Sequence, residues 1–419
     1  MPTFSALRSQ FPALHLRDAA GRPAVYFDGP GGTQVPQRVL DAISSYYTKS
    51  NSNTHGAFYT SQKTDEILHE ARVAMADFFN AAAPEQIVFG ANMTTLTFHM
   101  SRCIGRTLQA GDEIILTRLD HDANVAPWLA LEERGVKIRF LDFHPEDCTL
   151  AYEQLGDLLS RKTKLVAVGY ASNATGTIND VRRIIQAAQS VGALTYVDAV
   201  HYAPHAPIDV QTLDCDFLVC SPYKYFGPHL GVLYGKTEVL EKFQAYKVRP
   251  QDAQPPYRFE TGTLNHEGIA GTAAAIDYIA EVGKTCGAEF EAHFKNFSGR
   301  KRFLKMAMAA IQEYERGFSE KLLAGLQALP NVKIFGITDR SRMHERTPTV
   351  ALRMSSHAPS TIAERLGREN IYVWDGNFYA LEVTTRLGVE AHGGLVRIGL
   401  VHYNTEEEIA RCVQVLQKL

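Results

Sequence analysis

The sequence predicts an α/β protein with a large domain built on a mainly parallel sheet and a small C-terminal α+β domain. Short apolar strands alternate with helical segments from about residue 26 to residue 234, and such alternation is typical of parallel sheets covered by helices. A long polar helical stretch and a second set of strands and helices occupy the rest of the chain. Its 419 residues are enough for two domains.

Seven strands are expected in the large domain, each followed by a polar loop. They span residues 86–89, 113–117, 137–141, 165–170, 193–197, 217–220 and 231–234. Helices are expected between them at residues 65–79, 126–134 and 182–191. Active sites in such sheets lie at the carboxyl ends of the strands, so the loops there are where functional side chains are expected.

Domain limits follow from the change of pattern along the chain. Residues 26–283 are assigned to the large domain and residues 284–419 to the small one, with residues 1–25 expected to pack on the small domain. A helical stretch over about 284–329 is expected to bridge the two. Strands and helices of the small domain are expected at 332–335, 349–353, 361–368, 395–399 and from 405 onward.

Composition excludes several functional classes. Charged residues make up 21% of the chain and the formal net charge is -3, so no basic surface indicates nucleic-acid binding. No apolar run of about eighteen residues exists that could span a membrane, and the N-terminus lacks the apolar core of a secretory signal. Six scattered cysteines without a Cys-x-x-Cys motif disfavour disulfides and zinc. We therefore expect a reduced, cytoplasmic protein without a metal.

Two polar residues stand out because each follows an apolar strand. Asp198 ends the strand Leu-Thr-Tyr-Val-Asp, and Lys224 follows the next strand within Pro-Tyr-Lys-Tyr-Phe. Taken singly, the aspartate could cap a helix and the lysine could extend to the surface. The interval between Asp198 and Lys224 allows a helix or loop and one strand, so both side chains can meet at one sheet edge. Pyridoxal phosphate (PLP) chemistry needs this pair: the amine forms a Schiff base, and the carboxylate keeps the pyridine nitrogen protonated.

The segments around this pair resemble a known family. Asp198-Ala-Val-His201 and Ser221-Pro-Tyr-Lys-Tyr-Phe-Gly-Pro-His-Leu-Gly-Val-Leu-Tyr-Gly235 are similar to two signature blocks of the class V aminotransferases, in their cysteine desulfurase-like branch. The resemblance runs from Tyr26 to the C-terminus and extends to isopenicillin N epimerases. It implies a fold-type I PLP-dependent transferase, a small amino acid substrate and a homodimer.

Other blocks of the resemblance imply how PLP would be held. His121 would stack on the pyridine ring and move protons, while Asn173 would bind the phenolic oxygen. His201 stands where desulfurases usually have glutamine, and would contact that same oxygen. Thr263 resembles a residue that reaches the phosphate of the neighbouring subunit. The phosphate-binding residues implied within the chain are Met93 and Thr94 at a helix N-terminus, Ser221 and Tyr223.

The same resemblance implies a substrate site and one departure from the family. Arg397 would hold the substrate carboxylate through its planar guanidinium, and His55 lies in a loop implied to be near the substrate. Desulfurases carry a sulfur-accepting cysteine on a mobile loop. Here that loop covers residues 371–381, with Trp374 where an arginine is usual and Tyr379 at the cysteine position. A phenol cannot replace a thiolate. Tyr379 is interpreted either as part of an aromatic wall with acid function or as a space-filling residue.

These observations predict a PLP enzyme acting at the α-carbon of an amino acid. Loss of the α-proton to Lys224 would give a quinonoid, followed by epimerisation, β-elimination with C–S cleavage, or transamination. Three alternatives stay open: a PLP-binding protein without turnover, a desulfurase with a relocated cysteine, and a nucleotide-binding protein. The last is disfavoured because the segment Gly231–Thr237 has one residue too few between its glycines for a phosphate-binding loop.

Overall fold

The computed structural model describes residues 4–419. Its strands form a large sheet, a smaller sheet and two short pairs. The strands are β1 (Val25–Tyr26), β2 (Ile87–Gly90), β3 (Glu113–Thr117), β4 (Lys137–Leu141), β5 (Phe143–His144), β6 (Thr149–Leu150), β7 (Thr163–Gly169), β8 (Leu194–Asp198), β9 (Phe217–Cys220), β10 (Gly231–Gly235), β11 (Val332–Phe335), β12 (Thr349–Met354), β13 (Ile371–Tyr372), β14 (Trp374–Gly376) and β15 (Leu395–Gly399).

Helices cover the sheets and connect their strands. They are α1 (Phe4–Leu7), α2 (Gln37–Lys49), α3 (Tyr59–Phe79), α4 (Met93–Gly105), α5 (Ala126–Leu129), α6 (Leu155–Leu158), α7 (Val181–Ser190), α8 (Val210–Leu213), α9 (Thr237–Lys242), α10 (His266–Cys286), α11 (Gly299–Gln327), α12 (Pro359–Arg368), α13 (Leu381–Arg386) and α14 (Glu406–Leu416). Among residues 4–419, no helix combines the length and apolarity that crossing a bilayer requires.

The large sheet has seven strands in the order β2-β10-β9-β8-β7-β3-β4. Only β10 runs antiparallel to its neighbours, so the predicted mainly parallel sheet is confirmed. Its strands are apolar along their length because helices cover both faces. In β2, Ile87 and Phe89 pack into the core on one face and Val88 into the core on the other. The strand bounds agree with prediction to within two residues.

The smaller sheet is antiparallel, in the order β11-β12-β15-β14. In its register, Trp374 of β14 lies opposite Arg397 of β15. The loop predicted over residues 371–381 therefore begins with two short strands, because β13 pairs with β1 and β14 extends the small sheet.

One helical prediction needs correction. The stretch at 284–329 is not one helix: α10 ends at Cys286, a 3-10 segment covers Ala288–Phe294, and α11 begins at Gly299. Gly287 follows α10 at a crowded position, where a Cβ atom would lie only 2.6 Å from the carbonyl oxygen of Gly283. The proposed boundary between residues 283 and 284 falls inside α10, and the division into domains stays a prediction.

Within its described residues, the N-terminal segment contacts α11 and α14 of the predicted small domain and also α10. Phe4 stacks on Tyr314 of α11 at 4.3 Å between ring centroids, and Arg8 forms an ion pair with Glu408 of α14 at 2.8 Å. Phe11 packs edge-on against Tyr278 of α10. Residues 1–3 of the segment predicted from the sequence lie outside the described part.

Candidate active site

A cavity of about 620 Å³ opens at the carboxyl ends of the parallel strands. It lies between the large sheet and the small sheet, because β14 and β15 contribute to its wall. Most of the predicted site residues line it: Met93, Thr94, His121, Asn173, Asp198, His201, Ser221, Tyr223, Lys224, Trp374, Tyr379 and Arg397.

Lys224 is buried at the end of a 3-10 turn that follows β9, with Pro222 at the start of the turn. Its ammonium donates a hydrogen bond to the carbonyl of Pro30 and lies 4.5 Å from the centre of the Tyr223 ring. Burial, together with the charge of Arg397, lowers the pKa of Lys224 to about 7. A substantial fraction of Lys224 is therefore a neutral, nucleophilic amine near neutral pH.

Asp198 is the last residue of β8 and is also buried. Its Oδ1 accepts a hydrogen bond from the amide of Val200 at 2.9 Å. Burial raises the pKa of Asp198 to about 6, and the nearby charge of Lys224 opposes this rise. Because β8 and β9 are neighbours in the sheet, the carboxylate and the Lys224 amine face one cavity, as the sequence predicted.

Arg397 reaches the cavity from β15 and is 4% exposed. Its Nη1 donates to the carbonyl of Asn173 at 3.0 Å, whereas its Nε has no hydrogen-bond partner among the described residues. Burial lowers the pKa of Arg397 to about 9, and the charge of Asp28 opposes that shift. Asp28, which was not among the residues selected from the sequence, is the carboxylate that balances this cation; burial raises its pKa to about 6.

His121 follows β3 in a loop that ends in a short 3-10 turn. Its Nδ1 accepts a hydrogen bond from the amide of Ala123 at 3.0 Å, which places the ring hydrogen on Nε2. Burial, with the charges of Lys224 and Arg397, lowers the pKa of His121 to about 4. The imidazole is therefore neutral at neutral pH, and one face stacks on Tyr379 at 5.7 Å between ring centroids.

The cavity also has the features of a phosphate site. Met93 and Thr94 begin α4, whose N-cap Asn92 accepts a hydrogen bond from the amide of Thr95. The first amides of a helix and its dipole favour an anion at this position. Ser221 and Tyr223 line the same cavity as the start of α4.

An aromatic wall formed by Trp374, Phe378 and Tyr379 closes one side of the cavity. Trp374 is 54% exposed and Tyr379 is 74% exposed, so both rings are accessible to a ligand. The backbone of this wall forms hydrogen bonds at two points with loops that follow strands of the large sheet. The Asn173 side-chain amide donates to the Phe378 carbonyl at 2.9 Å, and the Asp122 amide donates to the Tyr379 carbonyl at 2.6 Å.

Two predicted residues lie elsewhere. His55 and Thr263 line a second cavity of about 1050 Å³ formed around α3 and the segment 248–266. His55 is therefore not near the substrate cavity of its own chain, because its loop is held by hydrogen bonds to Asp65 of α3. For Thr263 the prediction concerned a neighbouring subunit, and it stays a prediction.

The residues that line the first cavity fit PLP. A buried carboxylate ends β8, a lysine amine lies in the turn after the adjacent β9, and a helix N-terminus lines the same cavity. Buried polar atoms without protein partners among the described residues, Asn173 Oδ1 and Arg397 Nε, are available to a ligand. The residues selected from the sequence did not include Phe378 and Glu390, which line the cavity, or Asp28, whose charge acts on Arg397. Asp28 could have been selected, because it is a carboxylate two residues after Tyr26, where the family resemblance begins.

Comparison with known proteins agrees with this geometry. A model of the class V aminotransferase family matches residues 25–298 and 287–412. A cysteine desulfurase of Pectobacterium carotovorum subsp. carotovorum (strain PC1) is 32% identical over 429 residues, which cover 99% of this chain and 97% of the relative. A cysteine desulfurase of Yersinia pestis (strain Pestoides F) is 30% identical over 431 residues, with 99% and 97% coverage.

Solved structures of cysteine desulfurases have the same fold. The apo structure of a cysteine desulfurase from Thermococcus onnurineus NA1 matches with a TM-score of 0.85 at 26% identity, over 100% of this chain and 98% of that chain. A cysteine desulfurase from Escherichia coli matches with a TM-score of 0.83, also at 26% identity and the same coverage. Fold and site together define a PLP-dependent enzyme of fold type I. The chain belongs to the class V aminotransferase family.

Proposed function

We propose that this enzyme acts at the α-carbon of an amino acid, with Lys224 moving the α-proton, and that it does not form a persulfide as a desulfurase does. The observation that carries this proposal is the pairing of a buried, readily neutral amine at Lys224 with a buried guanidinium at Arg397 in one cavity. A base for the α-proton and a clamp for the α-carboxylate are the two groups that such a reaction needs.

Bound PLP supplies an electron sink that weakens the bonds at the α-carbon of an attached amino acid. Asp198 would hold a proton on the ring nitrogen, because its carboxylate is buried and lies at the end of β8. Arg397 would orient the substrate through its carboxylate. His121 is neutral and would cover one face of the cavity without adding positive charge.

Several observations support the absence of a persulfide nucleophile. The sequence resemblance implies that Tyr379 takes the position of the sulfur-accepting cysteine. None of the six cysteines, all of which belong to the described residues, lines the first cavity, and only Cys286 is not fully buried. Burial raises the pKa of Cys103 to about 11 and that of Cys412 to about 12, so neither thiol is ionised at neutral pH.

The reaction that follows proton loss is proposed to be epimerisation, β-elimination or transamination. Two alternatives lead to different results. A PLP-binding protein without turnover would show a visible cofactor band and no exchange at the α-carbon. A desulfurase with a relocated cysteine would convert cysteine to alanine and hold a stoichiometric persulfide.

We also propose a homodimer. The second cavity carries His55 and Thr263, which do not reach the first cavity of the same chain. Large apolar side chains are exposed on the elements around it, and exposed apolar surface of this kind is typical of an interface. They are Tyr47, Phe58, Tyr59, Tyr246, Val248 and Tyr257. Light scattering of the purified protein would give the mass of two chains if the proposal is correct.

A cytoplasmic location is proposed on the state of the cysteines. None of the six, all within residues 4–419, forms a disulfide, and disulfides form and persist mainly in oxidising compartments. Fractionation of the cells that produce the protein would test this.

The main experiment measures α-proton exchange. The PLP-loaded enzyme is incubated with single amino acids in D₂O, and loss of the α-proton signal is followed by NMR. We expect exchange with a subset of amino acids, and none with Lys224→Ala. Lys305→Arg is a matched control, because Lys305 is a second buried lysine with a lowered pKa that lies outside the cavity. Exchange that survives in Lys224→Ala would contradict the proposal.

A further inference from the structure

Trp374 is close to both groups that are proposed to act on the substrate. In the pairing of β14 with β15, Trp374 lies opposite Arg397, and both residues line the cavity. The indole also packs directly on the backbone of Gly31, because a Cβ atom there would lie only 2.5 Å from Trp374 Nε1. Gly31 follows Pro30, whose carbonyl accepts the hydrogen bond from the Lys224 ammonium. A substrate held at its α-carbon by Arg397 and Lys224 would therefore have its side chain within reach of the indole.

The aromatic wall offers flat apolar surface to a ligand. Trp374 and Tyr379 both line the cavity, and each is more than half exposed. Large apolar side chains that stay uncovered in a cavity are typical of a ligand-binding surface. An aromatic ring suits this surface best, because offset or edge-on contact between rings adds to the gain from burying apolar area.

The backbone that carries the wall is held in a costly conformation. Phe378 and Tyr379 both have a φ of +57°, in the left-handed region that bulky side chains rarely adopt. The Asn173 side-chain amide donates to the Phe378 carbonyl, and the Tyr379 amide donates to Asn377 Oδ1 at 3.1 Å. Asn377 is held in turn by Glu390, whose Oε1 accepts from Asn377 Nδ2 at 3.0 Å. Strain of this kind persists only where the surroundings fix the backbone, and it is common at ligand-binding sites.

The charges around the cavity disfavour an acidic substrate side chain. Within the described part of the chain, Lys224 and Arg397 are the only lysine and arginine that line it, and both already have proposed partners in the cofactor and the α-carboxylate. His121 is neutral, because burial lowers its pKa to about 4. Asp375 and Glu390, which are acidic, line the same cavity. A second carboxylate on the substrate would therefore lack a cation and would meet like charges.

Arg397 is available for the other end of the substrate. Its Nε is buried without a hydrogen-bond partner among the described residues, while its Nη1 donates to the carbonyl of Asn173. An unpaired buried donor is costly, so a ligand carboxylate that accepts from it is favoured. The cavity thus combines a cation for the α-carboxylate with aromatic surface for the side chain.

We propose that the substrate is an amino acid with an aromatic side chain, which lies against Trp374 and Tyr379 while Arg397 binds its α-carboxylate. The proposal rests on the proposed function and deepens it, because it names the class of amino acid on which the enzyme acts. Trp374 is then a specificity-determining residue. Small amino acids such as alanine and cysteine leave the aromatic surface uncovered and are poor substrates.

Titration of the visible cofactor band with single amino acids tests this substrate class. The PLP-loaded enzyme is titrated with L-phenylalanine, L-leucine, L-alanine, L-aspartate and L-arginine, and α-proton exchange is measured with the same five. We expect phenylalanine to bind at least about tenfold more tightly than alanine, because its ring is buried against the wall. Leucine should bind more weakly than phenylalanine, since it cannot stack, and aspartate should bind most weakly.

Variants at Trp374 separate aromatic contact from apolar bulk. Trp374→Leu should lower the preference for phenylalanine over alanine by about tenfold, whereas Trp374→Phe should keep most of it. Tyr372→Leu is the matched control, because Tyr372 is an exposed aromatic residue of the neighbouring β13 that does not line the cavity. Its substitution should leave the preference unchanged. The preference is a ratio of two dissociation constants from one preparation, so a partly unfolded variant still gives a valid value.

Several results would overturn the proposal. They are equal affinity for alanine and phenylalanine, tighter binding of aspartate than of phenylalanine, and an unchanged preference in Trp374→Leu. Tightest binding of arginine would also overturn it and would show that Asp375 and Glu390 select a cation. A protein that binds PLP but shows neither a spectral change nor exchange with any amino acid would contradict the proposed function, and this inference with it.

Discussion

The guanidinium of Arg397 lies 4.4 Å from the centre of the Phe378 ring. Asn173 contacts both partners: its carbonyl accepts from Arg397, and its side-chain amide donates to the Phe378 carbonyl. The group proposed to bind the substrate carboxylate and the wall proposed to contact the substrate side chain are thus held by one asparagine. Carboxylate binding and the position of the wall are expected to be coupled.

Substitution of Arg397 should separate substrate binding from cofactor binding. Arg397→Ala is expected to weaken the binding of amino acids by at least about 100-fold, because a charge-assisted, two-point contact is lost. PLP should still attach to Lys224. Titration of the visible band with amino acids gives the dissociation constants, with Arg397→Lys as the control that keeps charge without the planar fork. Unchanged affinity would mean that the substrate is an amine without a carboxylate.

Asp198 is expected to control reactivity more than cofactor binding. Asp198→Asn removes the charge that keeps the pyridine nitrogen protonated but preserves the shape of the side chain. The rate of α-proton exchange should fall by about 100-fold or more, while a large part of the PLP content survives. Exchange and PLP content are measured on the same preparation. An unchanged rate would indicate that another acid serves the ring.

The lowered pKa of Lys224 predicts how PLP capture depends on pH. Lys224 has its pKa lowered to about 7, so its amine is charged below that pH and neutral above it. The rate of covalent PLP attachment to the PLP-free protein should rise through about pH 7 and then level off, whereas an ordinary lysine would continue to gain reactivity up to about pH 10. Stopped-flow absorbance gives this profile. A rise that continues far above neutral pH would show that the amine is not shielded from water.

With L-cysteine, the enzyme is expected to release sulfide, ammonia and pyruvate if it reacts, and not alanine with a protein persulfide. The reason is that Tyr379 offers no thiolate to accept sulfur. Alanine, pyruvate and persulfide are assayed without added thiol, and Tyr379→Phe serves to test the phenol itself. Stoichiometric persulfide on one cysteine, with alanine as product, would indicate a relocated nucleophile.

The sequence predicted the parallel strands and the residues at their ends, because apolar runs followed by polar loops are local patterns. Asp198 and Lys224 could be selected in this way. The packing of Trp374 on Gly31 could not, since it joins residues from distant parts of the chain. The packing of Phe378 on Arg397 depends on the path of a loop. The break between α10 and α11 was overlooked, although Gly287 and the Ser298-Gly299 pair indicate it in the sequence.

The pairing of β14 with β15 places Trp374 opposite Arg397 on the small sheet, whereas Lys224 and Asp198 belong to the large one. The groups proposed for substrate recognition and for proton transfer therefore belong to different sheets. Substitutions at positions 374–379 are expected to change the choice of substrate while Lys224 and Asp198 keep their positions on the large sheet. Residues 374–379 are therefore the positions to vary when selecting for activity on other amino acids.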